Sequence, residues 1–351
     1  MGVAVAIMFA GSAAVVDEWT DVPFLPAIPG VVVAWIVSVA IHEAGHFIVA
    51  RRSGMTPYCV AVIGLYAWAS SDGWRVRFTR LPASVGGFVI SHFDADRSFR
   101  QQMLPMLVAG SGANLLMGLL LGAIGAWFWP SSGGAYLCAL AFFSACVGVA
   151  NLIPVRNKFL DNDGLLLLHW LRGDCEHAPA MLMHRLNALS IKGITAENYP
   201  TEWIEGLRDT PVLGPAVRHW FRLCARQNTG AWSDIAEIGQ EFEADVQALP
   251  PAAAKALSVF IQQMRTEVVF SEAMASEHDD GGICRHIDAL LDWYFPALRP
   301  RCQALEAALR GDRVAMRGFL GESEKKMRKT HDLGYKKSEE IIRGSIMAAA
   351  K

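Results

Sequence analysis

Residues 30–50 read GVVVAWIVSVAIHEAGHFIVA, twenty-one residues in which the only charged or titratable side chains are His42, Glu43 and His46. At 1.5 Å per residue a helix of this length spans about 31 Å, the hydrocarbon thickness of a bilayer. Charged and titratable groups are costly there and usually functional when present. On a helix, positions i and i+4 share a face, so His42 and His46 can hold one zinc ion between them. Glu43 lies one step round the helix, within reach of a proton on a zinc-bound water.

Working outward, the 351-residue chain divides by charge near residue 172. Up to Arg172 there are 10 Lys+Arg and 9 Asp+Glu; the remainder holds 22 and 25. The first half therefore reads as a membrane region (26–172, after an N-terminal segment 1–25) and the second, 173–351, as a water-soluble domain. Two further spans are predicted, Leu104–Trp129 and Ala135–Ile153, joined by the turn Pro130-Ser131-Ser132-Gly133-Gly134. Met1–Val16 is apolar but short, lacks a basic start, and is expected to insert in the membrane without being a cleaved leader. Asp17, Glu18 and Asp21 precede the motif segment, whereas Arg51, Arg52, the arginines from Arg75 to Arg100, Arg156 and Lys158 fill the alternate loops. Basic loops stay in the cytoplasm, which places the motif near the cytoplasmic end of its helix and the C-terminal half in the cytoplasm. A net charge of −2 gives no reason to expect a nucleic-acid partner, and seven scattered cysteines without a CxxC pair read as reduced thiols.

A catalytic zinc takes a third protein ligand. The candidates lie in 151–164, NLIPVRNKFLDNDG, where Pro154 breaks the third span and Asp161 and Asp163 follow before the apolar run Leu165–Leu168. Irregular backbone at membrane depth belongs inside protein or beside a water-filled cavity, and a carboxylate buried there wants a cation. Asp163 would equally suit a helix N-cap.

HEAGH in one membrane helix, followed by an NxxP…DG segment in a later one, resembles the site-2 protease family of intramembrane zinc metalloproteases. Ala109-Gly110-Ser111-Gly112-Ala113-Asn114 resembles the family's AGPxxN stretch, with Ser111 in place of proline. Gly86-Gly87-Phe88-Val89 resembles its GG-containing strand. The four elements occur in the family's order over about residues 30–170, although the segment between Pro154 and the aspartate is longer than usual. The resemblance implies a three-helix α-helical membrane core with a small β element. It implies Zn2+ held by His42, His46 and Asp163, with Glu43 as general base. Gly86, Gly87 and Phe88 would pair with an extended substrate, and Asn151 would orient its backbone. Asn114 is expected to hydrogen-bond between helices. The expected substrate is a membrane protein or a leftover signal peptide, cut in or near its transmembrane segment in a bacterial inner membrane. Arg51–Gln102 is too short to hold a PDZ-like insertion.

Two other classes compete. Di-iron desaturases need several histidine clusters, and His169 and His177 form no second HxxxH box. A non-catalytic membrane scaffold displaying the cytoplasmic domain is the other. That domain is predicted all-helical, either tetratricopeptide-like or an irregular bundle, with a helix–turn–helix pair over Ala304–Leu309, Gly311-Asp312 and Val314–Met327. It carries no catalytic constellation, and recruiting or restraining a protein partner is its expected task. Its tail, Lys325–Lys351, has eight basic and three acidic residues and offers a contact with anionic lipid. His92 reads as a loop histidine.

Overall fold

A computed structural model describes residues 24–81, 85–156, 161–173, 175–210, 213–278 and 282–349. Met1–Val16, the acidic residues Asp17, Glu18 and Asp21, and Lys158 lie outside them. The chain forms two compact units, the first built from residues up to Trp68, Val76–Ser91 and Asp96–Glu176.

Three long helices dominate the first unit: α1 (Phe24–Arg52), α2 (Phe99–Trp127) and α3 (Ser132–Leu152). All three are long and apolar enough to cross a membrane. Arg51 and Arg52 end α1, where cations complement the carbonyl end of the helix. α2 begins five residues before the expected span, because Arg100, Gln101 and Gln102 are helical although not apolar. Its first turn is held by side chains. The Ser98 hydroxyl accepts from the Gln101 N–H, and the Glu176 carboxylate accepts from the Ser98 hydroxyl and from the N–H groups of Phe99 and Arg100.

Small residues make up much of the buried face of α2 and α3, while many large apolar side chains of the three helices face outward. Gly110, Ser111, Asn114, Gly118, Ala139, Ala141, Ser144 and Gly148 are buried, while Val33, Leu119, Leu120, Trp127 and Phe142 face outward. Small residues let membrane helices approach closely, and large apolar ones suit lipid contact.

Between α1 and α2 lie β1 (Thr56–Val62), β2 (Leu65–Ser70), β3 (Gly73–Phe78) and β4 (Gly87–His92) in one sheet of order β3-β2-β1-β4. β1 and β2 are antiparallel, with Cys59 opposite Trp68 and Ala61 opposite Tyr66. The single strand expected near Gly86 is thus the edge of a four-stranded sheet. The signal for β3 is the alternation Trp74-Arg75-Val76-Arg77-Phe78, whose exposure alternates with it. Reading those arginines as loop charges hides the strand.

The chain leaves α3 after Leu152, just ahead of Pro154, and a short helix α4 (Asp163–Arg172) follows.

The second unit comprises Ala69–Arg75, His92–Ala95 and His177–Lys351. Its principal helices are α5 (Leu182–Lys192), α6 (Thr201–Gly206), α7 (Gly214–Thr229), α8 (Ile235–Gln247), α9 (Pro251–Ala256), α10 (Ser258–Ser276), α11 (Ala289–Tyr294), α12 (Leu298–Leu309), α13 (Arg313–Lys326) and α14 (Leu333–Ala349). The expected helix–turn–helix pair is present as α12–α13, with Gly311 at φ +75° and the Asp312 carboxylate capping α13 through the Ala315 N–H. Helix lengths run from 6 to 19 residues, without the regular pairing of a tetratricopeptide array. The core gathers Phe270, Ile283, Leu298, Leu305 and Ile342, and buries Arg301 between the carboxylates of Glu267 and Glu339. Part of the basic tail serves the unit internally: Lys337 donates to the Gly193 carbonyl, Lys326 pairs with Glu322, and Arg343 is buried.

Candidate metal centre

An apolar helix that places titratable groups at i and i+4 aims both at one point, and here that point lies inside the first unit. His42, Glu43 and His46 are 6%, 5% and 6% exposed. The Nε2 atoms of His42 and His46 are 3.0 Å apart. Asp163, the first residue of α4, completes the group: its Oδ2 stands 3.0 Å from His42 Nε2 and 3.2 Å from His46 Nε2. No other group of metal-ligand type occurs among the described residues, and Asp161 is not part of this one.

These separations fit a metal. Donors each about 2.0–2.1 Å from a tetrahedral ion lie roughly 3.3 Å from one another. The triangle 3.0, 3.0, 3.2 Å matches that to within a few tenths of an ångström. Two imidazole Nε2 atoms and a carboxylate oxygen are also the ligand chemistry of catalytic zinc sites.

The loop after α3 makes Asp163 available. The helix N-cap falls on Asn162, whose Oδ1 accepts from the Leu165 N–H. That oxygen also accepts from the Val155 N–H, while Nδ2 donates to the carbonyls of Ile153 and Asn151. One side chain therefore reconnects the backbone on both sides of the Pro154 break and leaves the neighbouring carboxylate for the histidines. Gly164 allows this approach: a Cβ there would come within 2.2 Å of the Leu152 carbonyl oxygen.

The histidines are fixed from behind. His46 Nδ1 donates to the Met106 carbonyl at 2.7 Å, which leaves its Nε2 for the shared point. His42 Nδ1 stands 3.4 Å from the amide of Asn114, which is tied to Ser144. Gly110 supplies the space, since a Cβ on it would lie 2.4 Å from His46 Nε2 and 2.7 Å from His42 Nε2. The GG strand reaches the same site: a Cβ on Gly87 would meet Glu43 Oε1 at 2.6 Å, so β4 passes directly against that carboxylate. Glu43 Oε2 is buried with no hydrogen-bond partner among the described residues. A buried carboxylate oxygen in that condition needs a proton or a water. Phe88 stands in β4 and in ring contact with Tyr66, and Asn151 sits in the last turn of α3, its carbonyl bound by Asn162.

Asn162, Met106 and Ser144 were not legible as site residues. A backbone carbonyl has no residue-type signature, and Asn162 is flanked by the two aspartates that attract attention first. The signal for Asn162 was its position immediately before the new helix.

Residues 30–133 match the family model of peptidase family M50, the site-2 protease family. The match bears out the resemblance read from HEAGH, AGSGAN and GGFV, and it ends before α3 is complete. The family implies membrane metalloprotease activity, and its members are zinc metalloproteases. No curated protein and no solved structure matches the chain.

Proposed function

We propose that this chain is an intramembrane zinc endopeptidase that cuts membrane-anchored proteins or signal peptides in or near their transmembrane segment. One observation carries the reading: His42 Nε2, His46 Nε2 and Asp163 Oδ2 converge to within 3.2 Å of one another inside apolar helices, with the Glu43 carboxylate beside them. His42, His46 and Asp163 would hold the ion. When bound, zinc supplies Lewis acidity that brings the pKa of water to about 7 and polarises the scissile carbonyl.

The chain's own residues do the rest. Glu43, whose Oε2 lacks a partner among the described residues, takes the proton of the attacking water and returns it to the leaving amine. A helical substrate hides its carbonyls in hydrogen bonds and must be unwound before cleavage. β4 stands at the edge of its sheet, and Gly86, Gly87 and Phe88 offer an extended segment a strand to pair with. Because Gly87 abuts Glu43, such pairing delivers substrate backbone to the base. Asn151 is assigned to orienting that backbone. By its loop charges the second unit faces the cytoplasm of a bacterial inner membrane, where it engages a protein partner.

The test is co-expression with tagged single-span membrane proteins and signal peptides. Glu43→Gln should keep zinc and abolish cleavage; cleavage at the wild-type rate by Glu43→Gln contradicts the reading.

A further inference from the structure

We propose that Asn114, anchored by Ser144, sets the tautomer of His42 and so decides whether its Nε2 is available to a metal. The inference rests on the reading of His42, His46 and Asp163 as metal ligands. It concerns a positioning residue that itself touches neither metal nor substrate.

A neutral imidazole that ligates through Nε2 must carry its proton on Nδ1, and that N–H needs an acceptor. For His46 the matter is closed, because its Nδ1 faces the Met106 carbonyl at 2.7 Å and a carbonyl can only accept. Among the described residues His42 has no such fixed acceptor. Its Nδ1 faces the Asn114 side-chain amide at 3.4 Å, and an amide has both a donor end and an acceptor end. With Nδ2 turned to the ring, Nδ1 accepts, the proton sits on Nε2, and Nε2 donates to Asp163 Oδ2 at 3.0 Å. A half-turn of the amide offers Oδ1 instead. Nδ1–H then donates to it, and Nε2 is left with its lone pair toward the shared point.

Ser144 suits both arrangements. Its hydroxyl lies 3.1 Å from the Asn114 carbonyl oxygen and 3.3 Å from Oδ1. A hydroxyl donates one hydrogen and accepts others, so it satisfies whichever end of the amide faces it. His42, Asn114 and Ser144 come from α1, α2 and α3, and both Asn114 and Ser144 are wholly buried at 0% exposure. In this position water cannot stand in for a lost acceptor at small cost. An interhelical hydrogen bond alone would require only that some helix partner be reached. The alignment on the ring nitrogen opposite the ligating one points to a more specific role.

The experiment measures Zn2+ affinity of the full-length chain in detergent by chelator competition, with Co2+ absorption as a report on coordination geometry. Asn114→Leu keeps the volume and removes the acceptor; it should bind Zn2+ about 10–100-fold more weakly, as loss of such partners does. Asn114→Asp restores an acceptor and should stay within a few-fold of wild type, with the Co2+ spectrum of a tetrahedral site. Ser144→Ala, which leaves the ligands and Asn114 in place, should weaken binding several-fold. Wild-type affinity in Asn114→Leu and Ser144→Ala overturns the proposal, as do equal losses in Asn114→Leu and Asn114→Asp, which would mean helix packing alone. A wild-type chain that takes up neither ion refutes the metal reading itself, whereas uptake unaffected by the variants refutes only the tautomer role.

Discussion

Gly110→Ala is a one-carbon perturbation aimed at the metal position. The added Cβ would sit 2.4 Å from His46 Nε2 and 2.7 Å from His42 Nε2, against an ordinary contact of 3.4 Å or more. Relief requires His46 to retreat by about 1 Å and His42 by about 0.7 Å. Neither ring is free to do so, since His46 is held by the Met106 carbonyl and His42 faces the Asn114 amide. Metal–ligand distances tolerate shifts of only about 0.2 Å. Overpacking of this kind costs about 1–3 kcal/mol, while alanine in place of glycine returns about 1 kcal/mol of helix propensity. The net change in stability is therefore a loss of about 0–2 kcal/mol, and the direct damage falls on the ligands. Zinc affinity should drop at least 10–100-fold with cleavage falling in parallel. Gly112→Ala, two residues along the same helix, is the control: its Cβ would meet nothing within 4 Å. The assay is chelator competition beside a thermal melt for wild type and both variants. Wild-type zinc affinity in Gly110→Ala would refute the steric argument, as would equal losses in the two variants.

Asn162→Ala removes the cap of α4 and the bonds across the Pro154 break; it should cost about 1 kcal/mol in thermal stability and lower zinc affinity, while Asp161→Asn should change neither. A full-affinity Asn162→Ala would show that Asp163 is placed by other means. In the second unit, burial and the neighbouring His184 push His92 down to about 4 from its ordinary 6.5. A histidine kept neutral by the fold stabilises fully above about pH 6.5, and that contribution is lost as pH falls toward 4. The thermal midpoint should therefore drop between pH 7 and 5, less steeply in His92→Gln, and equal slopes would exclude His92 as the cause.

How far the sequence alone reaches differs along this chain. HEAGH is readable because its chemistry depends on residue type and a fixed helical spacing, and because an apolar helix makes three titratable groups conspicuous. The family match over 30–133 agrees with that reading. The helix starts are less legible: α2 extends through Arg100–Gln102 because Ser98 and Glu176 cap it, and a long-range cap from a residue 77 positions away leaves no local pattern. The hairpin of β1–β3 is missed where arginines alternate with Trp74, Val76 and Phe78. Charge draws a loop reading, although the period of two was present. Between Asp161 and Asp163 the sequence offers two similar carboxylates, and only the turn built by Asn162 separates them in space. The supports behind the histidines are the least visible of all, since Met106 acts through its backbone and Ser144 through a partner thirty residues away.

Elemental analysis of the detergent-purified chain, wild type beside Asp163→Ala, tests the central claim most directly. The account predicts about one zinc per wild-type chain and its loss in Asp163→Ala, with the variant still folded. Absence of zinc from wild type purified without chelators, or full retention in Asp163→Ala, would contradict it.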